Sequence, residues 1–316
     1  MKILCTIGSV FTPKAKEILS TLGQVDCLNL TQSELVEKIK NYDIILVGLG
    51  LEVNRQVIEN GEDLKVIATA TTGLDHIDIN YAEGKNIKIL SLKGENEFLD
   101  TITGTAELAF GLIIDLLRLT HPAFNSVKNY EWDRERFRGH NLSGRTLGIV
   151  GLGRLGKMMA RYGKAFEMKV IANDPYINDE TFSQLKCRKV DFNTLLAESD
   201  LISIHVHLTD ETANMFNKKV FNKMKNTAYL VNTARGKIVN EEDILVALKN
   251  KQIAGYGADV LSGELEFSKN FSNYPLVEYA KNNYNCIIVP HIGGMTYESR
   301  EATDIFIAEK IKNNIN

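Results

Sequence analysis

Three polar residues in the C-terminal part of the chain could make an acid–base site. Arg235 lies in Asn232-Thr233-Ala234-Arg235-Gly236, Glu264 comes five residues after Asp259, and His291 lies in Pro290-His291-Ile292-Gly293-Gly294. A guanidinium fork matches a carboxylate with two parallel donors. A histidine beside a carboxylate is a tunable proton donor and acceptor. Taken singly, each has an ordinary explanation: a surface arginine at a turn, a solvated loop carboxylate, a structural histidine. As a set they share a placement, because each follows an apolar run that reads as a strand: Ala228–Asn232, Gly255–Val260 and Ile287–Val289. Ligands of open α/β sheets bind beyond the carboxyl ends of the strands.

A second group lies upstream. The apolar run Leu147–Val150 enters Gly151-Leu152-Gly153-Arg154-Leu155-Gly156. Lys157–Phe166 then has helical spacing, with Met158, Met159, Tyr162 and Phe166 on one face. A second strand, Lys169–Ala172, ends at Asn173-Asp174, and Asp174 stands 18 residues past Gly156. Gly151 permits the tight turn, Gly153 lets a pyrophosphate approach the backbone, and Gly156 allows close packing of helix on sheet. The helix start, with Arg154 and Leu155, presents unpaired N–H groups to phosphate. Asp174 is placed to bond the ribose hydroxyls of an adenosine. It would repel a 2′-phosphate, and Pro175-Tyr176-Ile177 supplies no arginine to accept one, so the expected cofactor is NAD rather than NADP. Gly48-Leu49-Gly50 and Gly255-Tyr256-Gly257 lack this context and read as turns.

The elements that must position these residues fall into two series. The first ninety-odd residues alternate strands (Ile3–Ile7, Val25–Leu30, Ile44–Val47, Val66–Ala70, Ile87–Leu90) with helical patterns such as Lys14–Leu22 and Ser33–Lys40. That predicts a parallel, flavodoxin-like sheet. Thr101–Leu119 reads as a long helix apolar on most faces, hence buried, crossing between bodies, or at an interface. Thr120-His121-Pro122 is expected to end it, because the residue before proline disfavours helix. Asn129–His140 is charged and aromatic and holds the only tryptophan, Trp132. The second series has strands at Leu147–Val150, Lys169–Ala172, Leu201–Val206, Ala228–Asn232, Gly255–Val260 and Ile287–Val289, enough for a doubly wound sheet. A final amphipathic helix is expected over Thr296–Ile315, with no further domain after it.

Bulk properties narrow the function classes. A chain of 316 residues suits two domains. Charged residues make up 24% and the net charge is −3, which leaves no footprint for nucleic acid. No apolar run is long enough for a membrane span. Met1-Lys2 leads into a strand rather than a signal region. Cys5, Cys27, Cys187 and Cys286 form no CxxC pair and read as reduced residues of a cytoplasmic protein. His205 and His207 alternate along a strand and could suggest a metal pair, but no third ligand is evident, so no metal is expected.

The chain resembles the D-isomer-specific 2-hydroxyacid dehydrogenase family over nearly its whole length. The resemblance rests on Thr105-Ala106-Glu107, Trp132–Phe137, Leu142-Ser143-Gly144-Arg145-Thr146-Leu147-Gly148, Gly151–Gly156, Thr233-Ala234-Arg235-Gly236, Asp259-Val260 and Pro290-His291-Ile292-Gly293-Gly294. It implies two doubly wound parallel-sheet domains: a Rossmann-type NAD-binding domain, 98–290, inserted into a smaller flavodoxin-like substrate domain, 1–97 plus 291–316. It implies an active site in the cleft between them, and a homodimer formed through the nucleotide domain and its long apolar helix. Arg235 would bind the substrate carboxylate, His291 would exchange a proton with the substrate oxygen, and Glu264 would pair with His291. The main chain at Gly73 and Leu74 would hold the carboxylate, and Thr105, His205, Thr233 and Asp259 would join the glycine loop in holding NAD. The implied reaction is hydride transfer between NAD and a 2-oxo acid/D-2-hydroxy acid pair.

Two departures stand out. Many members have proline where this chain has His207. The loop Gly48-Leu49-Gly50-Leu51 lacks the arginine and serine often found in members acting on phosphorylated acids, which argues against phosphoglycerate. The resemblance leaves two alternatives: a dinucleotide-sensing corepressor-like interaction protein, and a formate dehydrogenase. Glu264 counts against the latter, because that branch typically has glutamine there.

Overall fold

Short apolar runs dominate this chain because parallel strands are covered on both faces. The structure, a computed structural model, describes residues 1–264, 267 and 271–315. It divides into two units, Met1–Ile102 with Thr296–Asn316, and Thr103–Met295. These boundaries fall five residues beyond the expected ones at 97 and 290. The reason lies in hydrogen bonding: the His291, Ile292 and Gly293 N–H groups all donate to Asp259, which ties that segment to the second unit.

The first unit holds a five-stranded parallel sheet of β1 (Lys2–Cys5), β2 (Gln24–Cys27), β3 (Ile44–Val47), β4 (Val66–Thr69) and β5 (Lys88–Leu90), in the order β2-β1-β3-β4-β5. This is the flavodoxin-like order. Alternate residues face opposite ways. Leu4, Ile45, Val47 and Ile67 pack with Leu35, Ile39, Val57 and Ile58. Ile3, Cys5, Ile44 and Leu46 pack with Ala15, Leu19, Ile307, Ala308 and Ile311. The terminal helix, Tyr297–Ile315, therefore supplies core to the first unit.

The second unit holds seven parallel strands: β6 (Thr146–Val150), β7 (Lys169–Asn173), β8 (Arg188–Lys189), β9 (Leu201–Ile204), β10 (Tyr229–Asn232), β11 (Gly255–Ala258) and β12 (Cys286–Ile288). Their order is β12-β11-β10-β9-β6-β7-β8. Counted from β6 this is the doubly wound order 3-2-1-4-5-6 with one further strand, and the order reverses between β6 and β9. The sequence reading missed β8, whose two exposed, charged residues at the sheet edge carry no apolar signal.

Of the readings offered for the long helix, burial is the one seen, and two other expectations need correction. The long helix runs Gly104–Arg118, and its apolar residues are used inside its own unit. Ala109, Ile113 and Leu116 are buried against the sheet with Leu147, Ile149 and Val231. It ends because Leu119 turns left-handed, with φ 53°, and a second helix, Thr120–Lys128, starts at once. Pro122 sits in that helix's first turn, where its missing N–H costs nothing, so it begins a helix rather than ending one. Gly255 and Gly257 are strand residues, not turn residues. A Cβ on Gly257 would stand 3.2 Å from Leu116 Cδ1, so the glycine lets the helix approach the sheet. The four cysteines are free thiols, with Cys5, Cys187 and Cys286 buried. No helix among the described residues is long and apolar enough to cross a membrane.

Candidate active site

The chemistry-bearing residues of the second unit stand at or just past the carboxyl ends of β6, β7, β9, β10, β11 and β12. Gly151 leaves β6 with φ 90°, a conformation side chains resist, and its N–H donates to the Asn173 carbonyl at 2.9 Å. A Cβ there would also meet the His205 carbonyl oxygen at 2.8 Å. Gly153 has open space where its Cβ would be, and it caps the helix Arg154–Ala165 without any side-chain hydrogen bond. Arg154 and Leu155 open the first turn of that helix. A Cβ on Gly156 would lie 2.1 Å from the Gly151 carbonyl oxygen, so loop and helix touch backbone to backbone.

Asp174, just past β7, braces this loop. Its carboxylate accepts the Leu152 N–H at 2.8 Å and the Tyr176 N–H at 2.9 Å. At the end of β9, His205 Nε2 and Ser203 Oγ are 2.8 Å apart, and burial pushes the imidazole pKa down to about 3, so the ring is neutral. His205 and His207 both lie past the end of β9, so strand alternation does not align them: His205 turns to Ser203, and His207 is exposed.

Two buried polar atoms here have no hydrogen-bond partner among the described residues, His205 Nδ1 and Thr233 Oγ1. Buried polar atoms are rarely left unmade, since each costs about 1–3 kcal/mol. Both belong to residues expected to hold a dinucleotide. Together with the open cradle at Gly153, they fit the residues present to a bound NAD.

The acid–base set lies on the same sheet edge. Beyond β10, Asn232 braces the turn to Arg235: its amide donates to the Arg235 carbonyl at 2.9 Å and its side-chain oxygen accepts the Ala234 N–H at 3.0 Å. Arg235 also donates to the Ala234 carbonyl at 2.8 Å. Beyond β11, the buried Asp259 accepts the His291 N–H on its carbonyl at 2.8 Å. Its carboxylate accepts the N–H groups of Ile292 at 2.6 Å and Gly293 at 2.8 Å. Burial pushes the Asp259 pKa up, against the pull of those two donors. Thr105 borders this point, 3.2 Å from where a Gly293 Cβ would lie.

His291 adopts a left-handed backbone, φ 53°, uncommon for a side chain other than glycine. Its Nδ1 stands 3.0 Å from Glu264 Oε1. Burial works to lower its pKa, but the Glu264 hydrogen bond and charge, helped by Asp259 and opposed by Arg235, leave it raised above the ordinary histidine value. The second unit thus brings together Arg235, Glu264, His291, Asp259, Thr105 and Thr233, together with the glycine loop. Sequence reasoning missed the structural work of Asn232 and the way Asp259 is used. The polar run at a strand end was the only signal for either.

Gly73 and Leu74 belong to the first unit, in the loop after β4. The Gly73 carbonyl accepts the Thr71 hydroxyl at 2.8 Å, the Leu74 carbonyl accepts the Ile77 N–H at 2.9 Å, and the Leu74 side chain packs on that unit's core.

Comparisons with known proteins agree on a family. Residues 110–293 match the NAD binding domain of the D-isomer specific 2-hydroxyacid dehydrogenases. Over 300 residues, 94% of its length, the chain is 37% identical to a D-3-phosphoglycerate dehydrogenase of Methanocaldococcus jannaschii, of which it covers 55%. It spans about half the length of the phosphoglycerate dehydrogenases it matches. It is 35% identical to a hydroxypyruvate reductase of Thermotoga maritima, with 91% of this chain and 90% of that protein covered. Among solved structures, an Aquifex aeolicus D-lactate dehydrogenase complexed with NAD and lactic acid superposes with a TM-score of 0.84 at 26% identity, covering 100% of this chain and 95% of that one.

Proposed function

The chain belongs to the D-isomer specific 2-hydroxyacid dehydrogenase family, and from that premise we propose that it is an NAD-dependent oxidoreductase interconverting a 2-oxo acid and a D-2-hydroxy acid. The observation that carries the reading is the His291–Glu264 pair, 3.0 Å apart, in the same unit as the glycine loop and Arg235.

The main chain from Gly151 to Gly156, with Asp174, Thr105, His205 and Thr233, holds NAD, which when bound supplies or accepts the hydride at its nicotinamide. Arg235 pairs with the substrate carboxylate, a task its planar fork suits. Glu264 occupies Nδ1 of His291, so Nε2 is the nitrogen that moves a proton. In reduction, Nε2 donates to the carbonyl oxygen as that oxygen gains charge, and in oxidation it accepts the hydroxyl proton. Asp259 holds the imidazole-bearing segment in place through three main-chain hydrogen bonds.

An unphosphorylated substrate is favoured by the loop Gly48–Leu51, which offers no cation. The test is a panel of glyoxylate, hydroxypyruvate, pyruvate and longer 2-oxo acids with NADH, and of 3-phosphoglycerate with NAD, followed by nicotinamide absorbance. Turnover of an unphosphorylated member is the expected result. Turnover of phosphoglycerate alone overturns the substrate assignment, and turnover of none overturns the enzymatic one.

A homodimer is part of the same proposal. The helix Gly104–Arg118 spends its apolar residues internally, so the surface for a second copy is sought on the next segment. There Phe124, Val127, Tyr130 and Trp132 are exposed, Trp132 at 89%. Sedimentation of Trp132→Glu beside the wild type tests it, with a shift to monomer expected.

A further inference from the structure

We propose that Glu241 is a positioning residue for the acid–base pair: its carboxylate anchors the loop that carries Glu264 and so holds Glu264 against His291. The proposal rests on the reading above only in taking that pair as the proton-transfer pair.

Glu241 opens the helix Glu241–Lys249, six residues after Arg235. One carboxylate oxygen accepts the Ser262 N–H at 2.7 Å, and the other accepts the Tyr274 hydroxyl at 2.5 Å. Ser262 lies two residues before Glu264, and Tyr274 caps the helix Pro275–Asn282. A single side chain therefore joins three segments that are remote in sequence. Hydrogen bonds to a carboxylate are the short, strong kind.

The loop is seated on the core by Leu261 and Phe267, and Phe267 also packs edge-on against Tyr274. The loop's own main-chain bonds are long, 3.4 Å from the Glu264 N–H to the Leu261 carbonyl and 3.3 Å from the Phe267 N–H to the Glu264 carbonyl, beyond the usual range. Close contact reinforces the anchor, because a Cβ on Gly236 would lie 2.1 Å from the Leu261 carbonyl carbon and 2.3 Å from the Ser262 nitrogen. The Arg235 turn and the Glu264 loop thus touch backbone to backbone, next to the carboxylate that ties them. Burial and the bond to Glu241 push the Tyr274 pKa up, so the phenol keeps the proton it donates.

The charged groups that act on His291 are Glu264, Asp259 and Arg235. Asp259 is fixed by the N–H groups of Ile292 and Gly293, and the Arg235 turn by Asn232. Of the three, Glu264 is the one that the Ser262 loop itself carries.

The test is the titration of the His291 ring by NMR in the free protein, without substrate or nucleotide. Glu241→Ala should lower the His291 pKa by most of the fall that Glu264→Gln produces, and adding Glu264→Gln to Glu241→Ala should lower it no further. Glu241→Gln keeps an acceptor for Ser262 and a polar contact to Tyr274 while removing the charge, so its titration should match the wild type. An unchanged pKa in Glu241→Ala, full additivity in the double variant, or a fall in Glu241→Gln equal to that in Glu241→Ala each overturns the proposal. Should Glu241→Ala fail to fold, Tyr274→Phe carries the test: a smaller fall supports the anchor and an unchanged pKa overturns it. Because no turnover is read, failure of every 2-oxo acid to react would sink the proposed reaction and leave this result intact.

Discussion

Asp259 holds His291 by the backbone rather than by the ring. Its carbonyl oxygen accepts the His291 N–H at 2.8 Å, and its carboxylate accepts the next two N–H groups. The left-handed conformation of His291 is thus over-determined by hydrogen bonds, which is how strain persists at a functional site.

Asp259→Asn should therefore destabilise the protein. An amide offers one acceptor where two N–H donors need one each, and it turns its own N–H toward the other donor. The expected loss is about 1–3 kcal/mol, read by urea unfolding. The His291 pKa should fall as well, since one of the charges raising it is removed. Unaltered stability would mean that the two N–H groups find another acceptor.

Glu264→Gln should move the pH profile of both directions. The His291 pKa is raised in the folded protein, so the ring keeps its proton to a higher pH than an ordinary histidine. Removing the carboxylate charge lowers that pKa. The alkaline limb of 2-oxo acid reduction, which needs the protonated ring, should shift to lower pH, and the acidic limb of oxidation should shift the same way. The linked stability follows the same sign: it is fully present below the unfolded value near 6.5 and is lost as pH rises through the raised folded value. Unmoved profiles in both directions would dissolve the Glu–His coupling.

Arg235→Lys should lower kcat/KM for the 2-oxo acid roughly ten- to hundredfold, because one of two charge-assisted bonds is lost. NADH affinity, measured by fluorescence, should hardly change. Near-normal kcat/KM would remove Arg235 from the carboxylate.

NADH should be used with higher kcat/KM than NADPH, because Asp174 repels a 2′-phosphate. Asp174→Ala should narrow that ratio and weaken NADH binding, since the Leu152 and Tyr176 N–H groups lose their acceptor. Equal efficiency of the two cofactors in the wild type would defeat the assignment.

The sequence alone was enough to place the glycine loop, the acid behind it, and Arg235, Glu264 and His291 at strand ends, because each signal is local. An apolar run followed by glycine or a polar residue marks a buried parallel strand and its exit, whatever lies elsewhere in the chain. The parallel, doubly wound class of the sheets followed from the same alternation, since parallel neighbours need helical crossovers, whereas the strand order came only with the structure. What only the tertiary structure decided lies in contacts between distant segments. Glu241 meets Ser262 across 21 residues, and Asp259 meets Gly293 across 34. No local pattern distinguishes a helix-opening glutamate that braces a loop from one that faces solvent. The helix Thr120–Lys128 was hidden for a related reason: Pro122 breaks a helix interior but suits a first turn, and the turn exists only because Leu119 goes left-handed. The partners that decide such cases are brought within reach by the folded sheet.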